Sequence, residues 1–360
     1  MPAFDVDLTI AVHSATRPIA RAVTSVIDRN RARIRVNVVA HNIDPEIIRA
    51  NLGDLAEHPD VRLLELHDGV RSPANPMNFG LAHSQAPFVS VMGSDDELEP
   101  GAVDSWLALQ AETGASTVIA RIRIVGRSND PYPPVRNGRR TRDLDPRKDR
   151  LAYRSAPLGL VDRRRFPSLR FTEGLPSGED LAYSATLWFT GEHIAYDLTG
   201  PAYVVNDDAD DRVTFSARSV SEDFAFLDAI EATEWFPRLA RRARSALLIK
   251  VLRVHFFDAV LARMRSEPGL LAHRDDLVDV VARAERLAPG VTALLARVDR
   301  DVIDELRSDA PDEARILHLL DARWNYRTVG ALVTRNPFLV AHRQAPLRTL
   351  FAGMRAMTAG

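Results

Sequence analysis

Two clusters of carboxylates stand where an enzyme would need them. The first closes the stretch Pro87–Gly101, reading PFVSVMGSDDELEPG. Phe88, Val89, Val91 and Met92 form a short buried strand that stops abruptly at Ser94, Asp95, Asp96 and Glu97, and Pro100-Gly101 then opens an amphipathic helix through Trp106 and Leu109. In an open α/β sheet the carboxyl ends of strands face the crevice where ligands bind. Oxygen ligands at that place suit a hard cation such as Mg²⁺ or Mn²⁺ bridging to a diphosphate. The same residues also suit an Asp-rich turn near a helix N-terminus. The second cluster is Glu179-Asp180, which follows Gly178 and opens an apolar helix over Leu181–Phe189. An acid pair there is favoured by the helix dipole even with no chemistry to perform.

The elements around these carboxylates alternate. Strands are expected at Asp7–His13, Ile34–Ala40, Val61–Leu66, Phe88–Met92 and Ser116–Val125. Helices are expected between them at Arg17–Arg29, Asp44–Glu57, Asn75–Ser84 and Gly101–Thr113. That order predicts a mostly parallel sheet covered on both faces. Arg127–Arg150 is dense in Pro, Gly, Arg and Asp and reads as one long loop, after which Tyr153–Asp162 and Leu181–Thr190 return to the core. Beyond Ser216 the period becomes helical, with candidate helices at Val220–Glu234, Pro237–Met264, Leu271–Leu287, Val291–Leu306 and Asp312–Ala322. A last amphipathic segment, Ala345–Met357, places Leu347, Leu350, Phe351 and Met354 on one face. Packing of that face against protein is expected over docking on anionic lipid.

Composition narrows the class. At 360 residues the chain suggests two domains, divided here as 1–216 and 217–360, and 46% hydrophobic residues allow a substantial core. A net charge of −2 gives no nucleic-acid footprint. The absence of Cys excludes disulfides, Cys-zinc sites and thiol catalysis. MPAFDVDLTIAVHS has no basic n-region or long apolar h-region, and no run reaches the roughly 18 apolar residues of a membrane span. A cytoplasmic protein is expected, with peripheral contact at the inner membrane face as an option. Lys148 and Lys250 are the only lysines among 47 Lys and Arg residues.

In order and spacing, four segments resemble the family 2 glycosyltransferases of GT-A fold: Leu8–Ser14, Ser72–His83, Gly93–Gly101 and Phe171–Tyr183. The family pattern runs from a strand ending near IPxYN through ARNxG and DxDD…PG to GED, and the resemblance covers roughly the first 215 residues. It implies a Rossmann-like GT-A domain of mostly parallel sheet, followed here by an all-helical domain. The implied activity is inverting transfer of a sugar from a nucleoside diphosphate donor, UDP by family frequency, to a hydroxyl acceptor on a glycan or lipid. Its setting would be cell-envelope or polysaccharide biosynthesis. By the same resemblance Asp180 is the general base, Glu179 its neighbouring carboxylate and Asp95 the metal ligand, with Ser94 and Asp96 beside it. His13 and Ser14 take the nucleobase turn, Asn42 stands where an Asp pair reads the base edge, and Asn78 belongs to the ARNxG match. Arg71 substitutes for the Arg that Met77 replaces, while Arg212 and Ser216 close over the diphosphate.

The departures matter. Gly93 stands where the family has its first Asp, Met77 where it has Arg, and Asn42 where it has the Asp pair. They motivate a rival reading, a catalytically inactive nucleotide-sugar-binding or scaffolding protein of the same fold. A nucleotidyltransferase would share the strand-helix alternation but needs a Gly-rich phosphate loop, and Val12–Arg21 contains no Gly. The acidic run Asp207, Asp208, Asp210 and Asp211 reads as a solvated loop. The helical domain offers a surface for the acceptor or for a second subunit.

Overall fold

The computed structural model describes residues 3–127, 135–136, 138–206 and 218–357. The chain begins β1 (Val6–Val12), α1 (Ile19–Ile27), β2 (Ile34–His41), α2 (Pro45–Leu52), β3 (Val61–Leu66), α3 (Ala74–Ala82) and β4 (Phe88–Gly93). It continues β5 (Glu97–Leu98), α4 (Ala102–Thr113), β6 (Thr117–Ala120), β7 (Ile122–Ile124), β8 (Gly159–Asp162), α5 (Glu179–Thr190), β9 (Ala195–Asp197) and β10 (Tyr203–Val205). Seven strands form one sheet in the order β3-β2-β1-β4-β8-β6-β9, and β5, β10 and β7 form a second, smaller one. β3, β2, β1 and β4 run parallel, β8 runs antiparallel to both neighbours, and β9 is parallel to β6. Every residue of β2 is buried, as expected of a parallel strand covered on both faces.

The expected strand over Ser116–Val125 breaks at Arg121. Its halves, β6 and β7, join different sheets. The expected helix over Asp44–Glu57 ends at Leu52, where Gly53 adopts a positive φ of 57° and a 3₁₀ turn follows. Low on the sheet, Asp7 is fully buried and paired with Arg35 on β2, with 2.6 Å between oxygen and Nε. The same carboxylate accepts from the backbone of Ala86 at 2.8 Å, which fixes the turn into β4.

After β10 the chain is helical: α6 (Val220–Phe224), α7 (Phe226–Glu231), α8 (Arg241–Val251), α9 (Phe257–Met264), α10 (Arg274–Leu287), α11 (Arg297–Arg307), α12 (Glu313–Ala322), α13 (Val329–Leu332) and α14 (Pro346–Met357). A π turn, Leu252–Phe256, joins α8 to α9, so the expected long helix is real from Arg241 but not regular. The core of these helices does not stop at residue 217. Leu181, Ala182 and Ala185 of α5 pack with Val220, Phe226, Leu227 and Leu252, while Tyr183, Leu187 and Trp188 of the same helix pack under the sheet. α5 is thus shared by both domains. The last helix also differs from expectation. Ala352 and Ala356 are its buried residues, whereas Phe351 and Met354 are 52% and 38% exposed.

Candidate active site

Register brings the strand ends to one edge. Val12 lies opposite Ala40, Ala11 opposite Gly93, and His41 opposite Leu66. The residues that follow these strands therefore gather along the carboxyl edge of the sheet, where a crevice for a ligand is expected.

At the end of β4 the acidic turn is built as much by arginine as by carboxylate. Asp95 Oδ2 lies 2.6 Å from Arg17 Nη1, and both side chains are nearly buried. The Asp95 carbonyl accepts from Arg21 of α1 and, at 2.9 Å, from Asn206 Nδ2. Asp96 turns inward: the Tyr203 hydroxyl donates to its Oδ2 at 2.6 Å and the Asn206 backbone to its Oδ1 at 3.1 Å. Burial, followed by the Asp96 charge, pushes the Tyr203 hydroxyl well above its ordinary pKa, so it remains a donor. Glycine at position 93 is explained by this packing. A Cβ there would sit 2.5 Å from Asp96 Oδ2 and 3.1 Å from Asp95 Oδ1. The space of the missing first carboxylate is taken by Asp96. Ser94 is buried between them in sequence, 4% exposed.

At the ends of β2 and β3 a second polar knot forms around Asp68, a residue the sequence reasoning missed. Its carboxylate lies 2.9 Å from His41 Nε2 and accepts from Asn75 at 2.8 Å, Asn42 at 3.2 Å and the Val70 backbone at 2.9 Å. Against the upward pull of burial, these bonds hold it well below the usual carboxylate range. Asn42 sits at a φ of +54°, and its Oδ1 accepts from the backbone of Asp68 and Gly69. Its amide thus shapes the turn after β3. Its only sequence signal was the Asp-Gly pair that makes such turns. Arg71, just beyond, is exposed and forms no ion pair among the described residues. His13 is exposed beside this edge, and the Ser14 hydroxyl is bonded to that of Thr16 at 2.8 Å.

The ARNxG-like segment does packing work. Asn78 donates to Phe171 O at 3.0 Å and Glu173 Oε1 at 2.9 Å, and its own Oδ1 accepts from Phe171 N at 2.8 Å. These bonds use both of its amide protons, and they make Asn78 a clamp between α3 and the loop before α5. A Cβ at Gly80 would lie 2.2 Å from Thr9 Cγ2, so glycine lets α3 seat directly on β1. Asn75 and Asn78, on α3, therefore link the Asp68 knot to the loop that leads into α5.

That loop delivers the second acid pair. Gly178 takes a φ of +77° as the N-cap of α5, and Glu179 and Asp180 fill the first turn, half-buried. Burial raises the Glu179 pKa, and burial with the Glu179 charge pushes Asp180 up to about 7. Gly178 has no side chain to cap the helix, and backbone N–H groups of this first turn bond the two carboxylates, Gly178 and Glu179 to Glu179 and Asp180 to its own. Arg212 and Ser216, with the run Asp207–Asp211, lie outside the described residues. Among the described residues no three His, Asp or Glu side chains converge to hold a metal ion.

Comparison with known proteins agrees with this layout. Residues 8–165 match the sequence profile described as Glycosyl transferase family 2. The succinoglycan biosynthesis protein ExoO of Rhizobium meliloti (strain 1021) is 25% identical over 311 aligned residues, covering 79% of this chain and 87% of that protein. Crystal structures of S. aureus TarS 1–349, alone and in complex with UDP-GlcNAc, superpose with TM-scores of 0.67 and 0.68 at 14% and 15% identity. In both cases 88% of this chain and 90% of TarS 1–349 are covered. The shared fold is GT-A-like, with its helical extension included.

Proposed function

We propose, from the match of residues 8–165 to the Glycosyl transferase family 2 profile, that the chain is an inverting glycosyltransferase. It would move a sugar from a nucleoside diphosphate donor to a hydroxyl of a growing polysaccharide or a lipid-linked precursor. The observation that carries this reading is Asp180: a half-buried carboxylate in the first turn of α5, pushed up to about 7 by burial and the Glu179 charge, behind a loop that Asn78 fastens to α3. A general base works best with a pKa near the working pH. Asp180 takes the acceptor hydroxyl proton as that oxygen bonds to the sugar C1. The bond from C1 to the diphosphate oxygen breaks, the nucleoside diphosphate leaves with the electron pair, and attack from the opposite face inverts C1. Glu179, the neighbouring carboxylate, raises the Asp180 pKa toward the working pH by its charge.

The donor side follows the strand ends. His13 and Ser14 face the base, and the Asp68–Asn42 knot with Arg71 offers its polar edge. UDP is the preferred base in this reading, supported by the UDP-GlcNAc complex of TarS. Polysaccharide biosynthesis is supported by the name of ExoO. The residues fit a divalent ion that completes its shell with diphosphate oxygens and water, and not one held by protein alone. Asp95 would hold that Mg²⁺ or Mn²⁺, in competition with Arg17. When bound, the ion would neutralise charge on the departing diphosphate. Arg17 and Arg21 supply positive charge at the same place without it.

No helix of the described residues is long and apolar enough to cross a membrane. A peripheral lipid contact, in this reading, falls on the outward face of α14, where Phe351 and Met354 stand exposed beside Arg348. Thermal shift with UDP, GDP, CDP and dTDP sugars, with and without Mn²⁺, tests the donor reading. A UDP-sugar is expected to raise the melting temperature most, and no response to any of them overturns it. Binding without turnover against a broad acceptor panel would favour the inactive scaffolding protein.

A further inference from the structure

Asp180 is backed by the helical domain. α8 and α9 run through the π turn Leu252–Phe256, and such turns recur at functional sites. In a regular α-helix, residues five apart point about 140° away from one another. Here the wider turn lets Lys250 and His255 meet, with 2.6 Å between Nζ and Nε2. Lys250 is 3% exposed, and its Nζ also donates to Ser155 Oγ at 2.8 Å. Two of its three protons are thereby committed, and the third meets no acceptor among the described residues. A cavity of about 20 Å³, room for one water, lies beside it and is lined by Ser155, Leu181, Ser184, Trp188 and His255.

A buried ammonium is costly unless its charge is used. In a chain that writes nearly every positive charge as Arg, the residue chosen here is one of only two lysines, the cation that can shift its pKa when buried. Burial lowers Lys250 to about 8, held up by the charges of Asp180 and Asp258. Burial, then Lys250 itself, lowers His255 to about 3, so the imidazole is neutral and able to accept. Asp180 is faced by two charges, Glu179 from its own helix and Lys250 from α8. Glu179 is faced in turn by Arg218.

We propose that Lys250 is a positioning residue for the Asp180 base: through a π turn the helical domain sets a buried ammonium against Leu181 and Ser184, beside the helical turn that Asp180 opens. Ser155 and His255 set where that charge stands. The proposal rests on the reading of Asp180 as base, but its test does not depend on turnover alone. Without the ammonium, only its own backbone N–H opposes burial and the Glu179 charge, which both act upward on Asp180.

The experiment is ¹³C NMR of protein labelled at the Asp carboxyl carbon, titrated in the wild type, Lys250→Met and Lys250→Gln, with Asp180→Asn assigning the signal. In either folded Lys250 variant the Asp180 midpoint should rise by at least ~1 unit. UDP release from a UDP-sugar at pH 7 should fall about tenfold in kcat/KM and recover by about pH 9. Lys250→Arg should keep the wild-type profile. An unmoved Asp180 midpoint in a variant that melts cooperatively overturns the proposal and makes Lys250 a packing residue. Full transfer by Asp180→Asn would instead remove the base reading, and the NMR shift would still report the Lys250–Asp180 coupling separately.

Discussion

Gly93 and Asp96 are a single device. With no side chain at 93, the Asp96 carboxylate folds into the space and bonds Tyr203 and the Asn206 backbone. Asp95 is then the carboxylate left for the metal in the proposed reading, and it is paired with Arg17. The metal should accordingly act through a contest between Arg17 and the ion. In calorimetry of UDP with and without Mn²⁺, Asp95→Asn should bring the ratio of affinities to one, whereas Arg17→Gln should raise it by ~3–10-fold, the worth of one hydrogen bond of about 1 kcal/mol. A ratio unchanged in both variants would remove the ion from Asp95. Asp180 allows a second residue-scale test, in which activity and stability move in opposite directions. Its pKa is raised from 3.8 to about 7 in the folded protein. The stability it contributes is therefore full below about pH 4 and lost as pH rises through 7. Asp180→Asn should cost ~100- to 10,000-fold in transfer. At pH 8 the same variant should be more stable, by on the order of 1–3 kcal/mol after allowance for partial exposure, and the gain should vanish near pH 4. Thermal melts across that range decide it, and a destabilised variant at pH 8 would return Asp180 to a structural role. The acid pair could be singled out only through the match of Gly178-Glu179-Asp180 to the GED of the family 2 glycosyltransferases, because the helix dipole alone accounts for two acids at such a place. Arg17 was not legible, because in so arginine-rich a chain no single arginine stands out.

Elements were legible where apolar runs alternate with Gly, Pro and Asp breakers, which is why β1 to β4 and their helices fall close to their expected limits. The misread elements share a cause: their partners are distant in sequence. α14 is the clearest case. By apolarity its inner face should carry Leu347, Leu350, Phe351 and Met354, but the loop after β7 crosses so close that a Cβ on Gly138 would lie 2.0 Å from Arg355 O. Only alanine fits such an approach, and Ala356 is fully buried with Val135, Leu144 and Leu151. The segment before α14 is fastened to the same loop, through Gln344 to Arg147 O at 2.8 Å and Arg150 to Arg343 O at 2.5 Å, and Arg150 also reaches Arg348 O inside the helix at 3.3 Å. Ala356→Glu should therefore lower the melting temperature by several degrees, as a buried unpaired carboxylate must. Phe351→Ser should leave it within about a degree. Equal effects of the two substitutions would mean that the helix packs by its larger side chains after all. The π turn had no signal either, since Val251–Phe257 reads as ordinary apolar helix.

At the scale of the whole molecule the two halves are bound through α5. One face of this helix lies under the large sheet with Tyr183, Leu187 and Trp188, and the other supplies Leu181, Ala182 and Ala185 to the helical core. The loop that leads to the acid pair is fastened by Asn78, and the buried Lys250 bonds Ser155 on the side of the helical domain. A division of the chain at 216, natural from composition, cuts through this arrangement. Residues 1–216 alone would expose the helical-core face of α5 together with Ala152, which packs in the same cluster. Each large apolar side chain so exposed forfeits ~1.5–3 kcal/mol, against a total stability of about 5–15 kcal/mol for a folded domain. The helical part would lose the floor on which α6 and α7 rest. We therefore expect residues 1–216, made as a separate protein, to bind a hydrophobic dye and to melt without a cooperative transition, in circular dichroism as in calorimetry. Mixing with residues 217–360 should restore part of the transition. A sharp melt of 1–216 with UDP-sugar affinity equal to that of the whole chain would show that the donor site needs nothing from the helices, and that α5 is ordered by the sheet alone.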